Sequence, residues 1–288
     1  MSVAIVTDST ASLPGDLVAS HGIVVVPLHV VLGGQQYIEG VDIGTVELAA
    51  ALREFTPVST SRPSPRAFLE AYESAAAGGA GSVVSVHISA DMSGTVGSAS
   101  LAARQSPIPV EVVDSRSVGM AMGYGVLSAA VAAEQGQDAK TVAAIAGARA
   151  RAATVLFYVD NLEHLRRGGR IGAASALLGS ALAIKPLLAL TDGHIDPVEK
   201  VRTSARALSR LEDLALESVE VAGESGVDIA VHHLDSETRA GDLFDRLRAK
   251  VSTATTMLFV ELGAVVGAHV GPGTIAVVVS PRPDGGQA

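Results

Sequence analysis

The chain has no cysteine and no tryptophan, and aromatic residues make up 3% of its 288 positions. Without cysteine there are no disulfides, thiolate metal sites or thiol nucleophiles. So few aromatic rings give no platform for stacking nucleic-acid bases. Basic residues are outnumbered, 21 against 30 acidic, and a formal charge of −9 argues against a polyanion binder. No uncharged run makes a good membrane span. The longest lie between Arg116 and Glu134 and between Glu261 and Arg282. The first is short and carries three glycines; the second holds His269 and Gly271-Pro272-Gly273. The opening Met-Ser-Val-Ala-Ile has no basic leader and runs into a strand, so a cytoplasmic protein is expected.

Nucleotide and metal signatures are also missing. There is no Gly-x-x-x-x-Gly-Lys-Ser/Thr phosphate loop, no Gly-x-Gly-x-x-Gly between strand and helix, and no Gly-x-Ser-x-Gly around Ser93. His232 and His233 are neighbours in a strand, so their side chains face opposite ways and do not ligate together. No cofactor is expected.

What remains is an apolar (48%), weakly charged (18%) globular chain, long enough for two domains. Short apolar runs at Val3–Thr7, Ser82–Ile88 and Val110–Val113 each end in a polar loop and lead into helical sequence. Val24–Leu32 reads as one strand turned by Gly33-Gly34, and Thr45–Phe55 as a helix. Ala139–Ala152 reads as a helix and Thr154–Val159 as a strand. Alternating short strands and helices predict an N-terminal α/β domain on a parallel sheet. In such sheets ligands bind beyond the carboxyl ends of the strands. Those ends are Asp8–Ser12, Asp91–Thr95 and Asp114–Ser117, and the Thr60–Ser64 loop can join them.

Ser93-Gly94-Thr95 is the leading candidate, because it opens a helix. First-turn N–H groups lack intrahelical partners, Gly94 permits close approach, and two hydroxyls add donors. The plainer alternative is that Ser93 or Thr95 only caps the helix, that Thr60 caps the one after Pro63, and that Asp8 and Asp114 form turns.

The second half predicts an α+β domain with a mostly antiparallel or mixed sheet. Leu162–Ile171 reads as a basic turn and Ala173–Ala183 as a small-residue helix. A hairpin is expected at Thr191-Asp192-Gly193, a long amphipathic helix at Ala205–Ala222, and strands at Asp228–His233, Met257–Leu262 and Thr274–Ser280. Ser236–Lys250 reads as a surface helix, and the tail from Pro281 as loose. The expected domains are 1–160 and 161–288. Arg166–Arg206 holds seven basic and three acidic residues, which suits a solvated face or an anionic partner. His269, before Gly-Pro-Gly, is expected at a loop end facing a cleft.

Taken together, the polar motifs resemble the DegV family. They are Thr7-Asp8-Ser9-Thr10, Thr60-Ser61-Arg62-Pro63-Ser64, Ser93-Gly94-Thr95, Asp114-Ser115, Arg167-Gly168-Gly169-Arg170-Ile171, Ile184-Lys185-Pro186, Val201-Arg202 and His269-x-Gly271-Pro272-Gly273, in that order. The resemblance implies two α/β domains holding one long-chain fatty acid between them. It also implies a role as the binding subunit of bacterial fatty acid kinase. A separate ATP-binding subunit would phosphorylate the carboxylate, and the acyl phosphate would enter phospholipid synthesis. Thr60 and Ser93 then bind the carboxylate, with Ser61, Gly94, Thr95 and His269 around it. Arg170 serves phosphoryl transfer or kinase contact, and no residue of this chain is itself catalytic. Two positions depart from the family pattern: Arg62 stands for the usual glutamine, and Gly172 for a common serine.

Two other functions compete. One is a serine hydrolase using Ser93 and His269 with Asp8 or Asp114. The other is a phosphate-binding regulatory module on the basic 166–206 stretch.

Overall fold

The computed structural model describes residues 2–177 and 184–282. The chain forms two compact units. One comprises residues up to His29 together with Ser61–Ala152; the other comprises Val30–Thr60 and Ala153 onward. A single boundary near Asp160 therefore does not describe the division: the second domain begins at Ala153 and also takes residues 30–60. Long-range backbone pairing is one reason, as Gly33 N–H donates to the Pro57 carbonyl and closes that segment on itself at 3.1 Å.

The first unit is built on a four-stranded parallel sheet, in the order Val24–Val26, Val3–Asp8, Ser82–His87, Val110–Asp114. Its strands are apolar on both faces because both are covered. Ile5, Val84 and Val86 pack with Met122, Val126 and Val142 from the helices Met120–Glu134 and Ala139–Ala152. Val6 and Val83 pack with Phe68 and Tyr72 of helix Pro65–Ala77. Gly125 permits close helix packing, since a Cβ there would lie 2.6 Å from the Ala146 carbonyl oxygen. The expected Val24–Leu32 strand is two, Val24–Val26 and His29–Leu32, in different sheets. Pro27 has no N–H to continue a ladder, and the next N–H, that of Leu28, goes to Ser9 Oγ at 2.9 Å.

His29–Leu32 forms a three-stranded sheet with Gln35–Ile38 and Val58–Ser61. Thr60 and Ser61 thus end a strand and do not lie in a loop. The helix between them and the hairpin is Thr45–Arg53.

The second unit carries a six-stranded mixed sheet. Its order is His194–Val201, Lys185–Thr191, Thr154–Tyr158, Ile275–Pro281, Val227–His233, Ala254–Glu261. Only the last pair is parallel. The hairpin turns at Asp192 and Gly193, both with positive φ (46° and 85°), as the Asp-Gly signal predicts. Helices Ser204–Ala222 and Glu237–Lys250 cover one face through Leu211, Ala215, Leu243 and Leu247 against Ile229, Val231 and Val277.

The expected helix at Ala173–Ala183 is a 3-10 turn over Gly172–Leu177, and residues 178–183 lie outside the described part. The expected loose tail from Pro281 begins inside a strand, and 283–288 lie outside the described residues. No described helix is long and apolar enough to cross a membrane.

Candidate functional site

In the first unit the carboxyl ends of three adjacent parallel strands present Asp8, His87 and Asp114. Asp8 is fully buried. Its Oδ1 accepts from Thr10 N–H (3.0 Å) and from the Thr10 hydroxyl (2.5 Å). Its Oδ2 accepts from Ile88 N–H (3.1 Å) and lies 3.0 Å from His87 Nδ1. His87 Nε2 lies 2.7 Å from Ser85 Oγ, and the Tyr72 hydroxyl donates to that oxygen at 2.9 Å. Tyr72, Ser85, His87 and Asp8 are all at 0% exposure. With the His87 proton on Nδ1, each donor in the line has an acceptor and the Asp8 charge is met by N–H and O–H groups alone. Burial holds the Tyr72 phenol up to about 12, against the smaller opposing effect of Ser85.

This Ser–His–Asp line has the distances of a catalytic relay but no access. It fixes the loop that follows. Ile88 is pinned by Asp8, Ala90 N–H donates to Asp114 Oδ1 at 3.2 Å, and Met92 and Ser93 N–H both donate to the Ser89 carbonyl. Helix Thr95–Ala103 begins where the sequence places it, but neither hydroxyl caps it. Ser93 Oγ and Thr95 Oγ1 bond each other at 2.8 Å, and Gly94 occupies the cap position. The cap after Pro63 is Ser64, whose Oγ accepts from Ala67 N–H, so Thr60 is released from that role.

Thr60 belongs to the second unit, where its Oγ1 lies 2.8 Å from His269 Nε2. His269 sits in the last turn of helix Ala264–Val270 and not at a loop end. The sequence reading missed this helix. Its first turn is held by Glu39, which accepts from Val265 N–H at 2.7 Å and places a carboxylate at a helix start. Gly267 then lets Leu48 and Leu234 close against it. Two more glycines make room for imidazoles. A Cβ at Gly168 would overlap the His269 ring, and one at Gly271 would lie 2.8 Å from His164 Cγ and Nε2.

The Thr60–His269 pair lines a cavity of ≈ 600 Å³ within this unit. Its wall includes Arg170, Arg167, His164, Asn161, Ser59 and Thr56, with Leu52, Pro57 and Val58 as apolar surface. Phe55, 80% exposed and at φ 56°, stands on its rim. Burial, then the Arg170 charge, push His269 down to about 4, so the ring is neutral near pH 7. His164 is lowered too, by burial and then by Arg167. His269 Nδ1 is buried without a hydrogen-bond partner. If Nε2 carries the proton it donates to Thr60, and the Thr60 hydroxyl is free to donate onward to an anion. If Nδ1 carries it, a buried N–H is left unpaired at a cost of about 1–3 kcal/mol.

The expected basic turn is a short helix, Glu163–Gly168, closed by Gly169 at φ 73°. Three cations of the basic stretch are paired with carboxylates. Arg166 and Arg167 pair with Glu163, whose carboxyl their hydrogen bonds lower to about 2, and Lys185 pairs with Asp160. Of the first-unit residues the hydrolase reading would use, Asp8 serves His87, Asp114 serves the Ala90 and Arg116 N–H groups, and Ser93 serves Thr95. Among the described residues no group of three or more His, Asp or Glu side chains is placed to hold a metal ion.

The profile of a family described as "Uncharacterised protein, DegV family" matches residues 2–282. The chain belongs to the DegV family. A DegV domain-containing protein of Streptomyces coelicolor is 52% identical over 280 residues, covering 97% of this chain and 99% of that one. Among solved structures, a DegV family protein from Thermus thermophilus, described for fatty acid binding, superposes with a TM-score of 0.92 at 36% identity. It covers 98% of this chain and 100% of its own. DegV of Bacillus subtilis, described as a fatty acid binding protein, gives 0.88 at 30% identity with the same coverage. The DegV architecture of a parallel-sheet N-terminal region and a mixed-sheet C-terminal region is the one observed here.

Proposed function

We propose that this chain is a carrier for one long-chain fatty acid, without catalysis of its own. It presents the carboxylate to a separate ATP-dependent kinase subunit, and the acyl phosphate so formed feeds phospholipid synthesis. The observation that carries the reading is the Thr60–His269 pair, 2.8 Å apart, on a cavity that also holds Arg170. It is supported by the fatty acid binding described for the DegV proteins of T. thermophilus and B. subtilis.

A carboxylate leaving water loses several kcal/mol unless donors replace its hydration. Thr60 is such a donor when His269 keeps its proton on Nε2, and the neutral ring places no second charge there. Ser93 and Thr95, with Ser61 and the exposed backbone of Gly94, supply further donors. The alkyl chain contributes roughly 0.8 kcal/mol per buried methylene, about 11 kcal/mol gross for sixteen carbons before ordering costs. Arg170 is assigned to phosphoryl transfer or kinase contact, where a fixed guanidinium meets phosphoryl oxygens.

Native mass spectrometry followed by denaturation and extraction tests the reading. A stoichiometric long-chain fatty acid, released only on denaturation, is expected. A protein that is empty and takes up no added fatty acid would overturn it. Arg170→Ala separates the two halves: it should retain fatty acid yet give no acyl phosphate with a kinase subunit.

A further inference from the structure

We propose that His164 is a specificity-determining residue of the Thr60–His269 cavity, forming with Arg167 and Arg170 a second anion subsite that takes a phosphoryl group and not the carboxylate. The inference rests on the fatty acid reading and deepens it, by giving the added phosphoryl group contacts of its own.

Two imidazoles reach this cavity, one from helix Glu163–Gly168 and one from helix Ala264–Val270. Each is seated over a glycine of the other segment. The His269 ring covers Gly168, where a Cβ would overlap Nδ1. The His164 ring covers Gly271, the cap of the other helix, where a Cβ would overlap Cδ2. The two rings differ in what they have left to offer. His269 has Nε2 on Thr60 and Nδ1 closed in against Gly168, so neither nitrogen can meet a ligand directly. His164 meets Gly271 by its Cδ2 edge, which leaves Nδ1 on the far side of the ring. Among the described residues it makes no hydrogen bond, and neither of its nitrogens is sealed from solvent.

The charged and titratable side chains on this wall are Glu163, Arg167, Arg170 and the two imidazoles. The carboxylate among them is already met by Arg166 and Arg167, so it does not cancel the arginines for an incoming anion. Arg167 is held to Glu163 through Nε, at 2.6 Å, and Arg170 donates from Nη1 to the Gly168 carbonyl. Both guanidiniums are therefore tethered beside His164, and their planar forks suit phosphoryl oxygens. Burial and the Arg167 charge keep the His164 ring neutral near pH 7. A singly charged carboxylate is served by the Thr60 hydroxyl and leaves that balance as it is. A phosphoryl dianion beside the ring offsets the repulsion from Arg167, so His164 takes up a proton and donates to it as a cation. Affinity then grows with the charge of the head group, and the product of phosphorylation is held more tightly than the fatty acid it came from.

Calorimetric titration of the full chain with two probes tests this: hexadecanoate, and 2-oxoheptadecylphosphonate, a stable acyl phosphate mimic, above its second ionisation. Each titration is run in two buffers of different ionisation enthalpy, which reads the protons taken up on binding. The wild type should bind the phosphonate about tenfold more tightly than hexadecanoate and take up protons only with the phosphonate. His164→Leu should weaken the phosphonate by about tenfold, change hexadecanoate by less than about twofold, and abolish the uptake. His164→Asn keeps a neutral donor near the position of Nδ1, so it should recover part of the affinity and none of the uptake. A His164→Leu protein that keeps the phosphonate advantage, or loses both probes equally, overturns the subsite while leaving the carrier function intact. So does a wild type that binds hexadecanoate but prefers the phosphonate no more. A wild type that binds neither probe overturns the carrier function and this inference together.

Discussion

The two units each contain a hydroxyl hydrogen-bonded to an imidazole, and the two pairs have opposite characters. In the first, Ser85 and His87 belong to a sealed line from Tyr72 to Asp8 in which each polar atom has a partner. In the second, Thr60 and His269 line a cavity, and one ring nitrogen of His269 is buried with none. Burial of polar groups is tolerable when they are satisfied, so the first arrangement secures a loop. The second lines a cavity, and the unpaired Nδ1 favours the tautomer in which Nε2 donates to Thr60 and leaves the Thr60 hydroxyl free to donate. Distances alone do not separate them: both pairs lie within 0.1 Å of each other, at 2.7 and 2.8 Å.

The contrast can be broken by substitution. The largest effect is expected for Asp8→Ala, which leaves the Ile88 and Thr10 N–H groups and His87 without their acceptor. Urea unfolding should show a loss of roughly 3–5 kcal/mol. If that variant were as stable as wild type, the sealed line would not be structural.

Thr60→Val should act mainly on binding. Fatty acid affinity should fall by about tenfold, roughly 1.4 kcal/mol, with a stability loss of about 1 kcal/mol as the His269 N–H loses its acceptor. A stability loss as large as that of Asp8→Ala would make the two pairs alike. Ser93→Ala should weaken the same binding, since it removes a donor proposed for the same carboxylate.

The pH dependence comes next. Burial lowers both His269 and His232 to about 4, below the ordinary histidine value. The unfolded chain therefore binds protons that the folded chain refuses. Stability should be fully present above the ordinary value and fall as pH drops from there towards about 4. The slope is on the order of 1 kcal/mol per pH unit for each ring. Guanidinium titrations across that window, repeated on His269→Gln, should show a shallower slope in the variant. The smallest effect is expected for Tyr72→Phe, which removes the first donor of the sealed line and should cost about 1 kcal/mol without changing fatty acid affinity.

Much of the sheet-and-loop frame was legible in the sequence, because short apolar runs ending in Asp, Ser and Thr carry their own signal. The place of Ser93-Gly94-Thr95 at a helix start was legible that way, and the parallel sheet followed from the alternation. The partnership of Thr60 with His269 was not, since the two are 209 positions apart and only a family resemblance joined them. The Asp8–His87 line was missed although a sign was present: Ser85 and His87 at i and i+2 place two polar side chains on one face of an otherwise apolar strand. Helix Ala264–Val270 escaped because seven residues are too few for a clear period, and what holds its start is Glu39, on a distant segment. The transfer of residues 30–60 to the second unit depends on such distant contacts, which no local pattern records.

That transfer also orders events in time. During synthesis every strand of the four-stranded sheet has emerged once Asp114 is made, and the helices that cover it are complete by Ala152. Residues 30–60 have been made by then and can pair among themselves, yet the partners of Glu39 and Leu48 are still missing. The buried Glu39 must wait 226 residues for the N–H of Val265, and Leu48 must wait for Gly267. From Ala152 until Val265 is made the segment waits with Leu48 uncovered, and helix Ala264–Val270, near the end of the chain, arrives as the partner that captures it.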